Sequence, residues 1–126
     1  MAGMSFITHK GVRILYEDFE SVATDAEGLA LLKKGREIID QQPEKSVLAL
    51  LNVKNTKFSP TVTQALKEYA KLNTPYMKFA ALYGIDGLKE ILFRSVMLFT
   101  GRKNIASFKT LEEAKDFLVD YHLKNP

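Results

Sequence analysis

At 126 residues the chain has the length of one domain, since much shorter pieces bury too little surface to hold a core alone. Hydrophobic residues make up 46% and charged residues 26%, a balance that excludes disorder or a membrane span as the organising principle, and a formal net charge of +3 is too small for the dense basic stripe of a nucleic-acid binder. There is no cysteine, which removes disulfides, thiolate metal sites and cysteine nucleophiles together and suits a reducing cytoplasm.

The amino terminus, MAGMSFITHKG, has no charged region followed by a long apolar run, so neither a signal peptide nor an anchor is expected, and Met1 to Met4 read as a flexible start. SFITH and VRILY flank Lys10-Gly11, two β-rich runs around a glycine turn, and predict a hairpin. TDAEGLALLKKGREIIDQQP has Thr24 and Glu27 at capping-box spacing, carries Leu29, Leu32, Arg36 and Ile39 on one side and stops at Pro43. Gly28 and Gly35 lie two turns apart beside that side. Glycine is costly inside a helix, so close packing of this helix backbone on a sheet is expected.

SVLALLNV is a continuous apolar run of strand length, as a central strand covered on both faces requires. In SPTVTQALKEYAKLN, Ser59 precedes Pro60 as cap and first helical residue, and Val62, Ala65, Leu66, Tyr69 and Ala70 follow at helical spacing. YMKFAALYG predicts a strand ending at Gly84, after which Asp86 is placed to cap a helix from Gly87 to about Thr100. IASF predicts a short last strand. TLEEAKDFLVDYHL opens with the capping box Thr110 to Glu113 and presents Leu111, Ala114, Leu118 and Tyr121 on one face. The expected fold is therefore a single α/β domain over residues 1–126: a mixed, mostly parallel five-stranded sheet, built as a β-hairpin followed by βαβαβα units, with about four helices.

The order and spacing of HKGVRILYEDFE, SVLALLNVKNTKFSP, PYMKFAALYGIDGLKEIL and FTGRKNIASFKTLEEAKDFL resemble those of the SpoIIAA-like proteins over nearly the whole chain. These are small relatives of the STAS domain whose fold also resembles the CRAL-TRIO/Sec14 lipid-binding fold. The resemblance implies a bacterial, non-enzymatic regulatory or binding module, with members of the wider group suggested to bind lipids or associate with membranes. In the anti-sigma-factor antagonists the loop after the third strand carries an Asp-Ser-Ser-Gly type motif whose serine is phosphorylated at the start of a helix. Here that loop reads NTKFSPT, with no acid or glycine beside its hydroxyls. Ser59 and Thr61 are the phosphorylation candidates of an alternative, antagonist-like reading.

His9 and His122 stand at opposite ends of the chain and far from ligand spacing, so no metal is expected, and no cofactor motif is present. No catalytic residue is assigned. A small unrecognised enzyme using the strand-end loops is the second alternative, with Asp86 as its one acid. YGIDG lacks both the dinucleotide fingerprint and the phosphate-loop lysine and reads as a tight turn. Ligands of open α/β sheets prefer the carboxyl ends of parallel strands, and that rule selects Asn55, Thr56, Ser59, Tyr83 and Asp86 as candidates for a small ligand.

The segment EILFRSVMLFTGRK is apolar on more than one side. Projected at about 100° per residue, Leu88, Ile91, Leu92, Ser95 and Phe99 form the side assigned to the sheet, with Val96 and Leu98 flanking it. Phe93 and Met97 then fall on the far side among Lys89, Arg94, Arg102 and Lys103. Those six residues are the expected surface for an anionic bilayer, which would add peripheral membrane association to a cytoplasmic location, or for a protein partner, and the helix with the strand-end loops is the expected site of a lipophilic ligand. Packing beneath the carboxy-terminal helix, or burial in a homodimer, are the alternatives for the Phe93–Met97 pair.

Overall fold

The computed structural model describes residues 2–126, and Met1 lies outside them. β1 (Gly3–His9) and β2 (Val12–Asp18) pair antiparallel around a two-residue turn in which both Lys10 and Gly11 have positive φ, the geometry that matches strand twist. Gly3 and Met4 belong to β1, and Met4 packs against the core, so those two residues are no free start: their partners Asp18 and Glu17 in β2 extend the ladder to them. α1 (Asp25–Ile39), β3 (Val47–Asn52), α2 (Pro60–Asn73), a 3-10 turn (Thr74–Tyr76), β4 (Met77–Tyr83), α3 (Leu88–Thr100), β5 (Ile105–Phe108) and α4 (Leu111–Lys124) follow.

The sheet order is β1-β2-β3-β4-β5, with every pair after the hairpin parallel. Strand order running in one direction means that successive crossovers of one hand lay α1, α2 and α3 side by side on the same face. The other face is then left to α4 alone. Two cores result. One joins Leu15, Ala49, Leu51, Ala80 and Leu82 to α1, α2 and α3; the other joins Ile14, Leu48, Leu50, Phe79 and Ala81 to Ala114, Leu118 and Val119 of α4. β3 lies between them and is buried at all six positions, which is why its sequence lacks polar alternation.

Thr24 and Thr110 cap α1 and α4 by accepting from the N–H groups of Glu27 and Glu113, and Ser59 caps α2 through Val62 N–H. Asp86 does not cap α3. The N-cap position is Gly87, with no side-chain bond, and Asp86 contributes its backbone carbonyl to Lys89 N–H. Gly28 and Gly35 do serve close packing, but against α2 rather than the sheet: a Cβ on Gly28 would meet both Val62 methyls at 3.3 Å, and one on Gly35 would overlap the Tyr69 ring. The buried line of α1 is accordingly Gly28, Leu32, Gly35 and Ile39, and Leu29 is rotated into solvent.

α3 is rotated about its axis from the expected orientation, with Leu92 and the flanking Val96 still facing inward. Phe93 and Val96 are its buried residues, Phe93 meeting Phe58 edge to face, while Leu88, Ile91 and Phe99 of the presumed sheet side point outward. Only Leu92 of that set packs on the core. A helix with apolar residues on two sides carries no periodic signal for which side faces in. The choice falls to the volumes available beneath it.

Candidate functional site

Three places in the fold combine features beyond packing. The first is at the carboxyl ends of β3 and β4. Gly84, at φ +91°, lies so close to Lys54 that a Cβ would sit 2.7 Å from Lys54 Cα, and Val53 N–H bonds to Tyr83 O. This contact locks the two strand-end loops together. A shallow groove of about 460 Å³ beside it is lined by Tyr83, Gly84, Ile85 and Asp86 with Lys54 and Lys109. Of the five expected ligand residues, Tyr83 and Asp86 meet there. Thr56 is buried and donates to Phe19 O, Ser59 is occupied as the α2 cap, and Asn55 stands exposed in a left-handed turn. Asp86 is itself open to solvent, with Lys89 Nζ at 3.7 Å. Thr61 is exposed in the first turn of α2.

The second place is internal. Glu17 alternates inward with Leu15 on β2 and is buried beneath α2. Its Oε1 accepts from the Tyr69 hydroxyl. Burial pushes the Glu17 carboxyl up to about 7, against the Tyr69 hydrogen bond and the Arg102 charge, which both act downward. The Tyr69 hydroxyl is raised well above its ordinary value, first by burial and then by Glu17. Arg102, expected on the surface, is only 9% exposed. The left-handed residue Gly101 ends α3 and turns the chain inward, so that Arg102 Nη1 donates to Ala70 O at 3.3 Å and Nε to Asn104 Oδ1 at 3.2 Å. Its Nη2 is buried with no partner, and burial lowers its pKa against the opposing pull of Glu17. Asn73, also buried, accepts from Arg36 Nη1 at 2.6 Å. Glu17, Tyr69, Asn73 and Arg102 line a narrow cavity of about 40 Å³ whose other walls are apolar.

The third place is the outer surface of α3. Leu88, Ile91, Leu98 and Phe99 are 85%, 64%, 80% and 41% exposed, one stripe along the helix. Lys71 of α2 holds its Nζ 5.2 Å from the centre of the Phe99 ring, and Leu72 beside it is exposed too. Of the six surface residues read from sequence, Arg94 and Lys103 are exposed. Lys89 is folded back onto Val53 O at 2.8 Å, Phe93 and Arg102 are buried, and Met97 is half-buried on the cavity wall. The apolar surplus of this helix is therefore real, but it sits on the opposite side.

His9 and the last helix also meet, although they are far apart in sequence. His9 Nε2 lies 2.8 Å from Asp116 Oδ1, with Glu112 close by. The Lys10 ammonium, at 2.9 Å, supplies the cation for the same carboxylate oxygen, so the group ties the hairpin to α4 as an ion-pair clamp. His9 and Lys10 together hold the Asp116 carboxyl below its ordinary range.

No family model matches the chain, and no curated protein matches it. Among solved structures it is similar to an uncharacterized protein of the DUF3478 family from Shewanella loihica PV-4, described as having a SpoIIAA-like fold, with a TM-score of 0.71, covering 94% of this chain and 95% of that one. The fold is SpoIIAA-like. At 14% identity the likeness speaks for the backbone arrangement alone. Within the SpoIIAA-like fold of this chain, no helix among the described residues is long and apolar enough to cross a membrane.

Sequence reading missed Glu17, Tyr69 and Arg102 as a group. Glu17 follows the alternation of β2 at an inward position, and that was the available signal: an acid where the pattern demands an apolar residue. Nothing local marks Arg102, because its burial depends on where the turn after α3 lands.

Proposed function

We propose that this protein is a non-enzymatic binding module that docks peripherally on an anionic membrane surface from the cytoplasm through the outward face of α3. The observation that carries the reading is the exposed stripe Leu88, Ile91, Leu98 and Phe99 on a helix whose opposite side already fills the core. Scattered exposed leucines are ordinary, but a line of four large apolar side chains on one helix is the feature that marks an interaction face. Its charge surroundings favour a bilayer. Lys71 and Lys103 are exposed without an acidic partner among the described residues, and Arg94 shares only a 3.7 Å contact with Glu90. Each such cation adds about 1 kcal/mol near an anionic leaflet, and the apolar row inserts at the level of the headgroups.

Sedimentation with phosphatidylglycerol-containing vesicles tests this. The parent protein is expected to pellet with them and to remain in solution with phosphatidylcholine alone. Ile91→Ser with Leu98→Ser should weaken binding at every salt concentration, whereas Lys71→Glu with Lys103→Glu should weaken it mainly at low salt, where charges are least screened. A parent that ignores anionic vesicles overturns the reading; if it is also a dimer in solution that the serine pair dissociates, the stripe is a contact between two copies.

A further inference from the structure

We propose that the cavity bounded by Glu17, Tyr69 and Arg102 is a binding site for a small monocarboxylate with a short apolar tail, held by the free edge of the Arg102 guanidinium. This site is separate from the outward face of α3 and stands whether or not that face meets a membrane.

The guanidinium is the anchor. Arg102 spends Nη1 on Ala70 O and Nε on Asn104, and leaves Nη2 buried with no acceptor. Nearly all buried donors in folded proteins have a partner, so an orphan on a charged group lining a cavity marks the place of an absent one. The planar guanidinium suits a carboxylate or a comparable oxyanion better than a neutral acceptor, because the bond is charge-assisted. Glu17 does not fill this role: it lies beyond ion-pair distance of Arg102, among the described residues it has Tyr69 as its hydrogen-bond donor, and burial favours its neutral form. With Glu17 protonated, Arg102 is a buried cation without a counter-ion, an unfavourable state that an entering anion relieves.

The rest of the cavity selects the tail. Leu82, Phe93, Met97 and Ile105 are among its apolar lining residues. Its volume of about 40 Å³ holds roughly three water-sized groups, room for a carboxylate and little more, so the attached tail is limited to one or two carbons. Those same four residues also form the inner wall of an open groove of about 330 Å³ between α3 and β5. Met97 and Ile105, both half-buried, are thus the more accessible side chains shared by the cavity and the groove, and the unbranched Met97 chain can move without disturbing the helix.

The charged or titratable groups around Glu17 are Tyr69 from α2, Arg102 after α3 and, through Tyr69 and Asn73, Arg36 of α1. An anion on Arg102 disfavours ionisation of Glu17, so binding is coupled to retention of the Glu17 proton. Affinity therefore falls as pH rises through about 7, by up to about tenfold between pH 6 and pH 8.

Methyl and arginine side-chain NMR of the intact protein, titrated with propionate and separately with chloride and nitrate, tests the site. Propionate is expected to shift the Leu82, Met97 and Ile105 methyls and the Arg102 side-chain signals in a saturable way, more weakly near pH 8. Arg102→Met, a swap of a buried cation for an apolar chain that is often tolerated, should abolish the response. Glu17→Gln should keep the response and remove its pH dependence. Absence of saturable shifts with propionate, an equal response to nitrate or chloride, or an unchanged response in Arg102→Met overturns the proposal. If Arg102→Met does not fold, the pH-independent binding required of Glu17→Gln still decides it.

Discussion

Tyr69 reaches from α2 to donate its hydroxyl hydrogen to Glu17 in β2, and it does so through the space left by the missing side chain of Gly35. Three elements, α1, α2 and β2, thereby meet at one buried polar contact. Its energetics depend on which state Glu17 occupies.

The folded protein holds the Glu17 proton more tightly than the unfolded chain does, with a carboxyl value of about 7 against the ordinary 4.5. Between those values the folded state binds more protons, so the stability Glu17 contributes is fully present in acid and is lost as pH rises through about 7. The full span corresponds to roughly 3 kcal/mol at most. Urea unfolding near pH 5 and near pH 8 should show the parent losing more stability across this window than Glu17→Gln, whose amide does not ionise. Parallel losses in the two proteins would mean that Glu17 titrates normally.

Gly35→Ala tests the packing beneath that bond. In an exposed helix the change gains roughly 1 kcal/mol, but here the new methyl would stand 2.9 Å from Tyr69 Cζ and closer still to its oxygen. Overlap of this kind costs about 1–3 kcal/mol, so net destabilisation is expected. Tyr69→Phe removes the overlapping oxygen but leaves Glu17 without its donor, a loss of about 1–3 kcal/mol. The double variant should be less destabilised than the sum of the two, as read from chemical denaturation. Strict additivity would place the two residues out of contact.

For α3, the two faces should respond unequally. Phe93→Ala empties a buried site against Phe58 and should cost about 3–5 kcal/mol. Ile91→Ser and Leu98→Ser lie on the exposed side, where changes stay within about 0.5 kcal/mol. Melting curves of the three single variants distinguish this orientation from the reverse one directly.

Gly84→Ala should be among the most damaging substitutions at the strand ends. Its positive φ disfavours any side chain, and the atoms in the way belong to the Lys54 backbone, which cannot swing aside. A loss of more than about 2 kcal/mol is expected, along with changed amide signals in both loops. Gly11→Ala, with open space around the position despite its positive φ, serves as the control for strain without collision.

Element type and order were written in the sequence because their causes are local. Capping threonines at 24 and 110, the Ser59-Pro60 start, the Lys10-Gly11 turn and the unbroken apolar run of β3 each act within a few residues. Their alternation implies a largely parallel sheet, and the order of pieces resembles the SpoIIAA-like fold that the backbone adopts. The rotation of α3 was decided only in three dimensions. Phe93 and Val96 compete with Ile91 and Leu98 on equal hydrophobic terms, and the outcome depends on which set fits the space beside Phe58 and the sheet. The same holds for the interior polar group. Glu17, Tyr69 and Arg102 are separated by dozens of residues, and their juxtaposition arises because α1 surrenders a side chain at Gly35 and Gly101 turns the chain inward after α3. Such coincidences of distant segments leave no periodicity to read, since burial and its electrostatic consequences exist only once the layers have closed.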